Sequence, residues 1–169
     1  MGHGLGYLPE DRKRFGLVLS MRVQDNITLN TVDKIASLGW IRAREETTLA
    51  QTYMDRLAVR APGLSTVTAG LSGGNQQKLV LARWLAANCR VLLVDEPTRG
   101  VDVGAKVEMH NLLDELAGQG SGIVLISSEM TEILNLSTRI IVFRNGEIAG
   151  ELSNDEADQD GVMRLMTGS

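Results

Sequence analysis

Two stretches close together restrict the fold more than any other part of the chain. They are Leu71-Ser72-Gly73-Gly74-Asn75-Gln76-Gln77-Lys78 and Val91-Leu92-Leu93-Val94-Asp95-Glu96-Pro97. In the first, Ser72 is a suitable helix N-cap, its oxygen able to accept from the free amides of the first turn. Gly73 and Gly74 lack a Cβ, so a ligand can approach the backbone. The helix that follows, through Leu79, Leu81, Ala82, Leu85 and Ala86, offers its positive end to a phosphate. In the second, four apolar residues make a strand too short and too apolar for a surface helix. It ends in two carboxylates, where parallel sheets bind their ligands. Asp95 is placed to hold Mg²⁺ beside phosphates and Glu96 to orient or deprotonate a water, while Pro97 stops the ladder. Alone, each motif reads as a capped helix or as solvated loop charge; their succession favours a nucleotide site.

Together these residues resemble the ATP-binding cassette of ABC transporters. Leu71–Gln76 is similar to the signature motif, Val91–Glu96 to the Walker B strand and Arg99-Gly100-Val101-Asp102 to the D-loop. The wording Gly74-Asn75-Gln76-Gln77-Lys78, with Glu96-Pro97-Thr98-Arg99-Gly100-Val101-Asp102-Val103-Gly104, resembles something narrower. It is that of the second, C-terminal cassette in the two-cassette ATPase subunits of bacterial sugar importers of the ribose, xylose and galactose type. The resemblance implies ATP and Mg²⁺ as cofactors, with Asp95 as metal ligand and Glu96 and Ser128 as catalytic residues. It implies nucleotide contacts from Ser72, Gly73, Gly74, Gln76, Asp102 and Glu10.

Other features limit the alternatives. The 169 residues suit one domain with a real core, and the net charge of −4 leaves no basic footprint for nucleic acid. The single cysteine, Cys89, excludes an internal disulfide and fits a reducing cytosol; it reads as an inert buried thiol. No apolar run is long enough to span a bilayer and no signal peptide is visible, so the expected location is cytoplasmic and peripheral to the membrane. His3 and His110 have no second His or Cys cluster beside them and do not read as metal ligands.

Along the chain, Gly4–Leu8 reads as a strand and Pro9–Arg14 as a charged loop, with Asp11–Arg14 a solvated turn on the bland reading. Cassettes carry a Gln at the place of Glu10, in a loop that faces the membrane permease; the resemblance implies that Glu10–Arg14 couples to such a partner. A helical insert spans about residues 20–88, with a helix within Thr31–Trp40 broken at Gly39. A firmer helix at Glu45–Leu57 carries the core-facing stripe Leu49, Tyr53, Met54 and Leu57. Gly104–Ala117 is a helix with Met109, Leu112, Leu113 and Leu116 on one face. Ile123–Ile126 reads as a buried-type strand, followed by a short helix to Leu136 and a strand at Arg139–Phe143. Asn145-Gly146 signals a hairpin returning through Glu147–Leu152. Asp155–Asp160 reads as exposed and Val162–Met166 as a helical turn. The fold class is therefore α/β: a partial P-loop NTPase-like parallel sheet from residues 1–19 and 89–152, an inserted helical subdomain, a C-terminal β-hairpin and a tail at 153–169.

Two departures from the family pattern matter. No Gly-Lys-Ser or Gly-Lys-Thr occurs in the sequence, so the P-loop that cradles the phosphates is missing. The expectation is that these residues match only the C-terminal portion of a cassette and bind ATP weakly or not at all alone. The strands at Ile123–Ile126 and Arg139–Phe143, which flank the P-loop strand in the family, are then expected to pair directly or to recruit a second copy. Where cassettes usually place a His, this chain has Ser128, which lacks the imidazole's charge and reach. The expected role is thus to complete a partner cassette's site, the first cassette's or a second copy's, by supplying the signature. The alternative is a non-hydrolytic remnant serving as an interaction or regulatory module.

Overall fold

The computed structural model describes residues 4–168; His3 lies outside them. Its elements run β1 (Leu5–Leu8), α1 (Val23–Thr28), α2 (Val32–Ile35), β2 (Ala36–Ser37), β3 (Trp40–Ile41), α3 (Ala43–Arg56), α4 (Gly73–Ala86), β4 (Val91–Asp95), α5 (Val103–Gly118), β5 (Gly122–Ile126), α6 (Met130–Leu136), β6 (Arg139–Arg144), β7 (Glu147–Ser153) and α7 (Gln159–Thr167). They form two compact units that divide between Val124 and Leu125.

The first unit is built around α4. Only Gly73, Asn75 and Trp84 of its fourteen residues escape burial, the behaviour of a helix that is covered on every side. α1 and α3 pack on it, as do β1 and α5. β4 lies between β1 and β5 in a three-stranded sheet, and β1 runs parallel to it with Leu5 opposite Val91 and Leu8 opposite Val94. Gly6 makes the close approach of α4 to β1 possible. A Cβ there would meet the Trp84 ring at 2.8 Å, and the indole Nε1 donates to the Tyr7 carbonyl at 2.6 Å.

A polar hub ties the helical part to α4. Asn26, fully buried, donates through Nδ2 to the Val18 and Arg22 carbonyls and to Thr68 Oγ1. Its Oδ1 accepts from the Val18 amide and from Arg83. Arg83 also donates to the Asn26 carbonyl, and burial pulls its guanidinium down to about 10. A fully satisfied buried network specifies one arrangement of the surrounding chain.

The helix anticipated within Thr31–Trp40 ends instead at Ile35. Residues 36–41 form a tight hairpin whose turn residues, Leu38 (φ 50°) and Gly39 (φ 80°), both lie in the left-handed region. Two consecutive positive φ values are those of a primed hairpin turn. α3 matches its expected helix, yet its stripe is only partly covered. Leu57 is buried, whereas Leu49 and Tyr53 line an open groove of about 550 Å³ with Ile35, Lys34 and Ala86.

β5 departs from the buried strand expected of it. Val124 and Ile126 are 52% and 47% exposed, because β5 stands at the end of its sheet. Nor does it pair with β6 among the described residues; β6 pairs with β7 in a separate two-stranded sheet.

The second unit is that antiparallel hairpin with its helices. The Asn145-Gly146 turn has φ of 52° and 84°, as its sequence predicts. Ile140, Val142 and Val162 form its core, with Ile133, Leu134 and Leu165 packed on them. The last helix, α7, is longer than the single turn expected.

Candidate functional site

The starts of α4 and α5 face one small cleft of about 130 Å³, lined by Ser72, Gly74 and Asn75 on one side and Asp102, Gly104, Ala105 and Glu108 on the other, with Arg60 at its rim. The protein's own packing crowds both glycines of α4, Gly74 most firmly. A Cβ on Gly74 would sit 2.6 Å from the Ala105 Cβ, and one on Gly73 would sit 2.6 Å from Arg12 Nη2 and 3.1 Å from the Gly100 carbonyl.

Ser72 is the N-cap residue, but its side chain makes no capping bond. Its Oγ accepts instead from Asn75 Nδ2 at 2.9 Å, and Asn75 Oδ1 accepts from the Arg60 amide at 2.7 Å. The amide of Asn75, three residues on, captures the hydroxyl that was expected to cap the turn. Gln76 is turned away from the cleft: it is buried, and its Nε2 donates to the Thr68 carbonyl at 3.2 Å. Asn75, not Gln76, is thus the residue beside Ser72.

Asp102 caps α5, its carboxylate accepting from the Ala105 amide at 2.9 Å. Glu108, one turn further, accepts from Lys78 Nζ at 2.8 Å and pairs with Arg60 at 2.7 Å, so α4 and α5 are held together across the cleft. The Lys78 bond, first, and then its charge hold the Glu108 carboxyl below the usual glutamate range.

The loop after β1 is more than the solvated turn that stood as the alternative reading of Asp11–Arg14. Asp11 accepts from the amides of Lys13 and Arg14 and so caps a helical turn over Arg12–Gly16. Arg12 is buried and donates through Nη1 to the Arg99 carbonyl at 3.1 Å, while Lys13, Arg14 and Phe15 stay exposed. Glu10 is ion-paired with Arg99. Glu10 and Arg12 therefore both engage the segment leading to Asp102.

At the end of β4, Asp95 accepts from the Tyr7 hydroxyl at 2.9 Å, a bond that raises the Tyr7 phenol. Glu96 follows with φ of 49°, a left-handed conformation that is costly for a residue with a Cβ and recurs at functional sites. Oxygen donors from one or two carboxylates, one of them fixed by a hydroxyl donor, suit Mg²⁺, which completes its shell with phosphates and water. Ser128 belongs to the second unit, where it is exposed. Among the described residues no group of three or more His, Cys, Asp or Glu gathers as a metal cluster. Cys89 is half-buried, and burial raises its thiol.

Ser72, Gly74 and Asp102 are thus brought to one cleft; Gly73 begins the helix on one side of it, and Glu10 holds Arg99 in the segment before Asp102. Arg12, Asn75 and Tyr7 were not foreseen from the sequence. The spacing of Asn75 from Ser72, three residues along a helix, was the available signal; Arg12 and Tyr7 carried none, because their partners lie far along the chain.

A family model described as "ABC transporter" matches residues 1–99. A ribose import ATP-binding protein from Geobacillus kaustophilus is 45% identical over 166 residues, covering 98% of this chain and 34% of that protein. A xylose import ATP-binding protein from Thermoanaerobacter pseudethanolicus is 47% identical over 166 residues, covering 98% of this chain and 33% of that protein. This chain therefore spans about a third of the length of the curated relatives it matches. Among solved structures, a nucleotide-free ATP-binding cassette from an ABC transporter superposes with a TM-score of 0.75 at 20% identity, covering 98% of this chain and 65% of that one.

Proposed function

The chain belongs to the ABC transporter family, and on that premise we propose that it serves an ATPase subunit of a monosaccharide importer, where it supplies the signature helix to a nucleotide held by a partner cassette. The observation that carries this reading is the start of α4, whose first turn is left without a side-chain cap and opens on the cleft shared with Asp102. Positive helix ends left open in this way receive phosphate. In this reading Ser72, Gly73 and Gly74 meet the γ-phosphate, and Asn75 holds the Ser72 hydroxyl in place. Asp102 orders α5 opposite, while Glu10 fixes Arg99. Gln76 contributes by bracing the turn at Thr68 rather than by touching nucleotide.

The chain's own carboxylates would serve a second composite site. Asp95, oriented by Tyr7, would hold Mg²⁺, and Glu96 would orient the attacking water. When bound, the cation offsets charge on the β- and γ-phosphates. Ser128 is the hydrogen-bonding residue where cassettes usually carry His, which makes this site the weaker of the two. Residues 20–88 act as the helical subdomain, and the exposed Lys13, Arg14 and Phe15 form the face offered to a membrane permease. No helix among the described residues is long and apolar enough to cross a membrane, which fits a peripheral role at the cytoplasmic face.

The test is steady-state phosphate release. Without a Gly-Lys-Ser/Thr segment these residues hold no phosphate cradle of their own, so the chain alone is expected to show negligible turnover. A rate of about 1 s⁻¹, ordinary for enzymes, that disappears in Glu96→Gln would overturn the reading.

A further inference from the structure

We propose that Arg12 is the cation of the anion site at the start of α4, receiving a phosphate group together with the first-turn amides; this rests on the reading of α4 given above. Arg12 is 8% exposed, yet no carboxylate forms an ion pair with it among the described residues. Among the described residues its only acceptor is the Arg99 carbonyl, and its Nε has none. Asp11, the nearest opposing charge along the chain, spends its carboxylate on the amides of Lys13 and Arg14. Burial pulls the guanidinium below its ordinary value, and Asp11 offsets this only in part. A buried cation left in this condition is costly unless an anion compensates it.

The guanidinium lies against the first residue of α4, beside the cleft rather than among the residues that line it. Nη2 occupies the space that a Cβ on Gly73 would need, 2.6 Å from that position, at the first residue of α4. The other acidic groups of the cleft are already committed: Asp102 to the Ala105 amide, Glu108 to Lys78 and Arg60. A planar fork with donors to spare, set against a helix start whose own cap residue has turned to Asn75, matches the oxygens of a phosphate group. The absence of Cβ at position 73 then has a reason beyond backbone freedom, since any side chain there would displace the fork.

The experiment is an amide NMR titration of the 169-residue chain with inorganic phosphate and, separately, with ATP, at fixed ionic strength. Saturable shifts at Gly73 and Gly74 are expected in the millimolar range. Arg12→Gln should weaken phosphate binding on the order of tenfold to a hundredfold, as for loss of a charge-assisted bond. Arg12→Lys, which keeps the charge and loses the fork, should fall between, and circular dichroism establishes that each variant is folded. The apparent affinity of the parent should fall more steeply with salt than that of Arg12→Gln. Matching shifts from ATP assign the ligand as a nucleotide's terminal phosphate; shifts from phosphate alone assign free phosphate, and either supports the proposal. Unchanged phosphate affinity in Arg12→Gln overturns it while leaving α4 as an anion site. Absence of saturable shifts with both ligands overturns it together with the reading of α4.

Discussion

The starts of α4 and α5 line the same cleft and are finished in opposite ways. At α5, Asp102 closes the turn on itself by accepting from the Ala105 amide. At α4, Ser72 gives its hydroxyl to Asn75 and leaves the turn without a side-chain cap. One helix end is satisfied internally and contributes to stability. The other leaves its first-turn amides without a side-chain acceptor. Two residue types that are near-equal as caps are thus separated by what stands three positions along, a neighbouring amide in one case and a backbone N–H in the other.

The largest effect should come from blocking the open end. In an assembled importer carrying this cassette, Ser72→Arg is expected to reduce sugar-stimulated ATP hydrolysis by roughly the 10²–10³-fold of one lost oriented donor, or more because the new side chain fills the phosphate space. Glu96→Gln should leave a substantial fraction of the rate. If Glu96→Gln proves the more damaging of the two, the two composite sites are not unequal as proposed. Next in size is Gly74→Ala. Its Cβ would lie 2.6 Å from that of Ala105, and neither atom sits at the end of a flexible side chain, so α4 and α5 must separate. Such overpacking costs about 1–3 kcal/mol, readable as a lower urea midpoint.

The comparison itself is sharpened by a smaller pair. Asp102→Ala should cost about 1 kcal/mol, the usual value of a cap, whereas Ser72→Ala should leave the urea midpoint essentially unmoved. Equal losses would mean that both helix ends are capped alike. The smallest effect concerns pH. Glu108 is held below the ordinary glutamate value of about 4.3 by Lys78. A depressed carboxylate contributes stability that is fully present above that value and is lost as pH falls through the lower folded one. The difference in urea midpoint between the parent and Lys78→Met should therefore shrink on acidification below about pH 4. A difference that stays constant into strong acid would remove the Lys78–Glu108 bond from the account.

What could be read from the residues follows the range of the interactions. α4, β4 and α5 were legible because each depends on local pattern: an apolar run, a 3.6-residue stripe, or glycines before a helix. The hairpin at Asn145-Gly146 was legible because a two-residue turn with positive φ has few solutions. The helix ending at Ile35 was not, since the turn places Leu38 at positive φ, where nothing in its residue type asks for it. The Asn26 hub and the buried Arg12 were equally hidden, because their partners lie 42 and 57 residues away in the first case and 87 in the second. In the cleft, the residue types of Ser72, Gly74 and Asp102 were legible, but the direction of each side chain was set by neighbours that only the fold supplies. β5 misled for the opposite reason: its apolar composition describes a covered strand, yet Val124 and Ile126 stand half-exposed on the last strand of their sheet.

The bond from Trp84 to the Tyr7 carbonyl gives the chain a built-in optical reporter. Of the two indoles, Trp40 stands on the hairpin tip at 81% exposure, open to a soluble quencher and emitting as if in water. Trp84 is half-covered against Gly6, with its N–H fixed to the strand that also carries the Tyr7 hydroxyl to Asp95. With Trp40 replaced by Phe, the remaining emission would follow the seating of β1 against α4. Events at the Asp95 carboxylate would then be visible as colour and lifetime, without any label attached to the protein.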